Sequence, residues 1–199
     1  MKKIFAVIIC LVIVFTMASC GSSQGEPNVG SIEKSSDTVL TVTEEGSDTG
    51  AYYSTDTLKK VGTEKVIYSG RNKKTGNDRA VETYTGVDLK KLLEDAGFKK
   101  YETVKISCSD GYTREYEVEK LYDLYYFKDS TASKGEKVSP MIAIVKKGTK
   151  LGNNKDFDPN DGTPLRLVYG QEKYDSRETK DYNMQGWAGY VEKIEVINK

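Results

Sequence analysis

Apolar and polar positions divide the chain into three regimes. Residues 4–16, IFAVIICLVIVFT, are apolar without interruption, and residues 21–37, GSSQGEPNVGSIEKSSD, offer almost nothing to bury. From residue 38 onward β-branched and polar residues alternate in short runs, the period-2 pattern of half-buried strands. TVLTVTEEG, EKVIYSG and RAVETYTG read as strands, with the polar RNKKTGND as the loop between the last two. STDTLKKVG reads as one or two helical turns capped by Ser54 or Thr55. In TGVDLKKLLEDAGF, Leu89, Leu92, Leu93 and Ala96 recur at helical spacing and make one apolar stripe. Thr85 or Asp88 supplies the cap, Gly97 a left-handed stop, and Phe98 folds back on the last turn. A helix with one such stripe packs on a sheet.

The second half continues in the same manner. ETVKISCSDGYTREYEV predicts a strand, a tight turn at SDG and a second strand. VEKLYDLYYF reads as a short helix, PMIAIVKKG as a buried strand and KLGNNKDFDPNDGTP as a long polar loop. LRLVYG is another strand, and GWAGYVEKIEVIN closes the chain as a strand or a pair of strands. There is no internal repeat. The fold class this implies is α+β, mixed sheets with a few short helices.

The first regime has a different purpose. Lys2 and Lys3, the apolar run and the small residues after it have the form of a secretory signal peptide. The run falls short of the roughly 20 residues that a spanning helix needs. Met17-Ala18-Ser19-Cys20 resembles the bacterial lipobox, in which cleavage precedes a cysteine carrying a diacylglycerol. The resemblance implies a signal peptide over 1–19, lipidation at Cys20, a flexible tether over 20–37 and a domain over 38–199. It also implies an extracytoplasmic protein, lipid-anchored to a bacterial membrane. Of the three cysteines, Cys10 would leave with the signal and Cys20 would carry lipid, so Cys108 would have no intramolecular partner. Without Lys2 and Lys3 the chain holds 28 basic against 30 acidic residues, well mixed, and no basic face suggests nucleic acid. It has no histidine, the commonest metal ligand and neutral-pH proton carrier.

The order of segments is itself informative. TGVDLKKLLEDAG, the DGY hairpin, MIAIVKKGTKL, DGTPLRLVYG and GYVEKIEVI together resemble the sulfite-oxidase-type molybdopterin-binding domain, over residues 55–198. That family holds molybdenum through a cysteine thiolate upstream of the Leu-Leu helix. Here the matching region, VIYSGRNKKTGNDRAVETYTG, has no cysteine; Ser69 is its nearest hydroxyl and a poor replacement for a soft anionic ligand. Cys108 follows the helix and so belongs to another strand. The family's arginine for the pterin phosphate falls on Arg166, and its hairpin near the site falls on Asp110. The resemblance thus implies cofactor-binding positions at Arg166 and Asp110, with molybdopterin as the cofactor class.

Each candidate also has an ordinary structural explanation. Cys108 alternates with Val104 and Ile106, which directs it to the core. Asp110-Gly111-Tyr112 is a turn sequence. Asp156, Asp158 and Asn160 have calcium-loop spacing, but the glycine comes one residue late and Leu167 stands where the bidentate Glu belongs. Arg166 points away from Leu165 and Leu167, as a surface charge does. Tyr122, Tyr125, Tyr126 and Trp187 can stack a flat ligand or fill a core rim. No metal site is assigned. The reading that results is an anchored, molybdopterin-like domain without its metal thiolate, binding a small anionic ligand or an envelope protein. The alternative is a molybdopterin-dependent oxidoreductase at the cell surface.

Overall fold

In the computed structural model, residues 26–68, 70, 82–124, 138–147, 165–170 and 183–198 are described. Among these residues nine strands form one mixed sheet, accompanied by two short α-helices. In chain order these are β1 (Leu40–Glu44), β2 (Gly50–Tyr53), α1 (Thr55–Val61), β3 (Glu64–Tyr68), β4 (Glu82–Asp88) and α2 (Leu89–Asp95). They are followed by β5 (Thr103–Cys108), β6 (Thr113–Glu117), β7 (Met141–Lys147), β8 (Leu165–Val168) and β9 (Gly189–Ile197). A π-helical turn covers Lys120–Leu124, within the segment expected to be a short helix, and a 3-10 turn covers Asn183–Gly186.

The long strand β9 organises the sheet. Ile194 pairs with Val42 of β1 in parallel and with Ile106 of β5 antiparallel, so β1 and β5 lie on opposite edges of β9. Val191 pairs with both Cys108 and Leu165, which puts β8 on the same edge as β1, nearer the start of β9. From β8 the sheet continues through β7 and β4 to β3, and from β1 to β2, while β6 pairs with β5. Two strand registers shift against this start of β9. Bulges of this kind bend a sheet and re-aim side chains.

The core follows the apolar pattern. Leu89, Leu92, Leu93 and Ala96 of the α2 stripe are fully buried, with Val42, Val104, Ile106, Ile142, Leu167 and Ile194 of the strands. Each helix has the cap its sequence signals. Ser54 accepts from the Thr57 N–H and Thr57 Oγ1 from the Ser54 N–H, a reciprocal capping box. Asp88, not Thr85, caps α2 by accepting from the Lys91 N–H at 3.0 Å. Gly97, at φ 91°, ends it, and the Phe98 N–H returns to Leu93 O. Strand β4 runs on through Gly86 and Val87 to the cap, where a helix start was expected.

Two expectations need correcting. The tether read over 20–37 is not free to residue 37. Asn28 donates to Asp95 O, and Ser31 exchanges two backbone hydrogen bonds with Tyr52 on the edge of β2. The reason is a polar anchor: the half-buried N–H groups of Val29 and Gly30 find the carboxylate of buried Asp95. Strand β2, GAYY, was also not foreseen, although Ala51 and Tyr53 alternate inward as a strand requires. The signal peptide, Cys20, Ser69, the calcium-like loop, Tyr125 and Tyr126 lie outside the described residues.

Candidate functional site

The site is assembled around the turn that leads into β9. On β6, Arg114 and Tyr116 are two residues apart and share a face. The Tyr116 hydroxyl donates to Gly186 O, and the Arg114 guanidinium lies 5.2 Å from the centre of the Tyr116 ring. That guanidinium donates through Nη1 to Gln185 O at 3.1 Å. Burial drives the Tyr116 phenol well above the ordinary tyrosine range, so it stays a hydrogen-bond donor at any working pH.

From the other side come β8 and the residue after it. Tyr169 is buried, meets Tyr116 edge to face at 6.2 Å, and presents its carbonyl to Trp187 Nε1 at 3.0 Å and Asn183 Nδ2 at 3.3 Å. Gly186 is required here, because a Cβ would stand 1.8 Å from the Tyr169 hydroxyl. Trp187 continues the aromatic chain, edge to face on Tyr84 at 5.9 Å, and Tyr84 on Tyr68 at 6.0 Å.

Arg166 is the third approach to this turn. It is paired in register with Gly189 on β9, and a Cβ on Gly189 would stand 3.6 Å from Arg166 Nη2. The half-buried guanidinium therefore lies over a glycine that leaves it room. Two arginines thus approach residues 185–189 from separate strands, Arg114 at Gln185 and Arg166 at Gly189. Guanidinium groups suit a phosphate, sulfate or carboxylate. Beside β6 a cavity of about 390 Å³ is lined by Thr103, Arg114, Glu115, Tyr116, Glu117, Lys120 and Leu121, a mixed-charge wall.

The other sequence candidates have plainer places. Asp110 is exposed in the β5–β6 turn, where its Oδ1 accepts the Tyr112 N–H at 3.1 Å, and Gly111 takes φ 86°. The same turn meets β9, since the Ser109 N–H donates to Tyr190 O. Asp110 and Arg166 therefore flank the start of β9 from opposite edges, and no hydrogen bond joins them among the described residues. Cys108 is buried at the end of β5, and burial, then the charges of Asp110 and Glu192, push its thiol up to about 11. A neutral thiol in the core is a poor metal ligand or nucleophile. Tyr122 packs against the core with its hydroxyl shielded from water, and burial raises its phenol above the ordinary range.

Arg114 and Gly186 were not singled out from the sequence. They are about seventy residues apart, and only the β5–β6 hairpin and the turn before β9 bring them together. The alternation Arg114-x-Tyr116 was the available signal, and it was read only as a strand.

No protein-family model matches the chain, and no curated protein matches it. Among solved structures, the fold is similar to that of the sulfane dehydrogenase SoxCD from Paracoccus pantotrophus, with a TM-score of 0.51 and 17% identity. The match covers 84% of this chain and 40% of that chain, so the chain spans well under two thirds of its neighbour. The likeness is one of fold: the α+β, sulfite-oxidase-like architecture that the segment order implied.

Proposed function

We propose that the chain is a lipid-anchored extracytoplasmic protein whose sulfite-oxidase-like domain works by binding a small anionic ligand. The observation that carries the binding reading is the approach of Arg114 and Arg166 to the 185–189 turn. Two guanidinium groups that approach one turn from different strands offer positive charge to an anion at the edge of an aromatic cluster. The anchor rests on Met17-Ala18-Ser19-Cys20 and on the apolar run before it.

The fit to molybdopterin divides in two. An anionic group of such a cofactor suits Arg114 and Arg166. The metal does not suit the thiol on offer, because Cys108 is buried in the sheet and its thiol is held neutral. This favours a domain that keeps the family's cleft without its metal chemistry, and no redox step is derived for it. An envelope protein is the other class of partner for such a cleft.

Isothermal titration with inorganic sulfate and phosphate tests the reading. Binding to the natural protein, weakened about tenfold or more by Arg166→Lys and by Arg114→Lys, supports it. Binding unchanged in both variants contradicts it. The oxidoreductase reading is favoured by one observation only, the likeness to a sulfane dehydrogenase. Stoichiometric molybdenum in protein from a molybdopterin-competent host would establish that alternative.

A further inference from the structure

The strap that joins residues 20–27 to the domain is held by a compact set of hydrogen bonds. Asn28 donates to Asp95 O at 3.0 Å, and the Val29 and Gly30 N–H groups reach Asp95 Oδ1 and Oδ2 at 3.1 and 3.2 Å. The Ser31 N–H reaches Tyr52 O at 2.9 Å and the Tyr52 N–H returns to Ser31 O at 2.8 Å. Gly30 lies so close to Tyr53 that a Cβ would stand 2.8 Å from its ring. The chain is therefore fixed to the domain from Asn28 onward, beside the C-terminal end of α2.

Seven residues separate Cys20 from Asn28. A fully extended chain spans at most about 3.6 Å per residue, so the exit point stands within about 29 Å of an acylated Cys20. A tether free to residue 37 would reach about 60 Å. The shorter reach halves the height to which the exit can rise above the bilayer and so favours orientations that turn the exit toward it.

The composition of that side suits a lipid surface. Ile32, on the strap, is 68% exposed, the most exposed large hydrophobic residue among those described. Lys34, two residues on, lies beside Thr41 and Lys193 of the sheet, and Lys99 and Lys100 are exposed four and five residues beyond the end of α2. An exposed apolar side chain close to the tether is what the headgroup region accepts. Glu26 and Glu33 offset part of that charge, which leaves tether length and Ile32 as the main determinants.

We propose that the strap face, Asn28–Ile32 with the end of α2, rests on the lipid surface that holds the anchor, with Ile32 at headgroup level. The proposal deepens the lipid-anchor reading and rests on it. One row of paired residues supplies an internal ruler: Ser31, Tyr52, Thr41, Lys193, Ser107 and Thr113. Five strand spacings of about 4.8 Å put Thr113 about 24 Å from Ser31 along the sheet.

The test uses the lipidated full chain in vesicles of phosphatidylcholine and phosphatidylglycerol that carry a nitroxide on the headgroup. A fluorophore is placed at Glu33→Cys, Lys99→Cys or Thr113→Cys, three exposed positions, while buried Cys108 stays unlabelled. Quenching at positions 33 and 99 at least threefold above that at 113 is expected. Asp95→Asn, which loosens the strap, should bring the value at 99 down toward that at 113. Equal quenching at all three positions of an acylated protein overturns the orientation alone. Failure of Cys20 to take up radiolabelled palmitate overturns the anchor and the orientation together.

Discussion

The hydroxyl of Tyr53 donates to Asp95 Oδ2 at 2.8 Å, inside a carboxylate that also receives two backbone N–H groups from the strap. The pair ties strand β2, helix α2 and the strap at one point. Both side chains are buried, and the negative charge of Asp95 adds to burial in holding the Tyr53 phenol above its ordinary range. A buried carboxylate is tolerable because three donors replace its water.

Removing either partner should therefore be costly in different ways. Tyr53→Phe deletes one charge-assisted hydrogen bond and is expected to lower stability by about 1–2 kcal/mol. Asp95→Ala leaves the Tyr53 hydroxyl and the Val29 and Gly30 N–H groups without their acceptor, at about 3 kcal/mol. Urea denaturation measures both. Hydrogen exchange should accelerate at Val29 and Gly30 in Asp95→Ala far more than in Tyr53→Phe. Equal, small effects would show that the strap is held by its backbone contacts alone.

Tyr190 carries backbone strain. It is the one described residue other than glycine with positive φ, at 63°, and it is the extra residue where β9 shifts register against Arg166. A bulky side chain in the left-handed region costs about 1 kcal/mol or more. The residue is 49% exposed, so little packing offsets the strain. Tyr190→Gly should raise stability by about 0.5–1 kcal/mol after allowing for the greater freedom of glycine in the unfolded chain. Tyr190→Val should lower it, because branching at Cβ worsens the conflict. Denaturant midpoints of the two variants, moving in opposite directions, check this.

Much of this architecture is legible in the sequence, and the reasons differ by element. The α2 stripe, the Ser54 cap and the Gly97 stop are local signals, so they survive folding unchanged. Cys108 was placed in the core by its alternation with Val104 and Ile106, and it is there. The strap was missed because its partner is a carboxylate on α2, some sixty-five residues away, and GSSQGEPNVGSIEKSSD has no apolar pattern to reveal docking. Strand β2 is four residues long, too short for alternation to stand out from the polar GSDT before it. Of the candidate site, Arg166 is the residue that a family pattern singles out in the sequence, while Arg114 depends on a hairpin and a turn meeting in space.

Gly86 is fixed by the backbone it faces. It stands three residues before Leu89, at the register shift between β4 and β7. A Cβ there would stand 2.2 Å from Ile142 O and 2.6 Å from Ala143 Cα, both backbone atoms that cannot swing aside. Gly86→Ala should force β4 and β7 apart and cost about 3 kcal/mol, with Asp88 pulled from its capping position. Thermal unfolding measures the loss. By contrast Gly46→Ala, where φ is 75° but no atom lies within 4 Å of the new Cβ, should cost only about 1 kcal/mol of backbone strain.

The pH dependence of stability is set on the alkaline side by groups kept neutral in the core. Burial, reinforced by Asp110 and Glu192, moves the Cys108 thiol from 9.0 to about 11. Between those values the unfolded chain has released its proton while the folded chain retains it. The unfolded state then binds fewer protons, so stability falls as pH rises through this window. Burial raises the phenols of Tyr53, Tyr68, Tyr116 and Tyr122 above 10.0 and makes the same contribution in the same direction, starting near that value. Stability should therefore be flat with respect to these groups below about pH 9 and decline steadily above it. Cys108→Ala removes the contribution that begins lowest, at the cost of a small core cavity. Its midpoint should be lower at pH 7 but less sensitive to pH between 9 and 10 than that of the natural protein. Urea midpoints taken at pH 7, 9 and 10 decide the matter, and an identical slope in both proteins would mean that the thiol ionises equally well folded and unfolded.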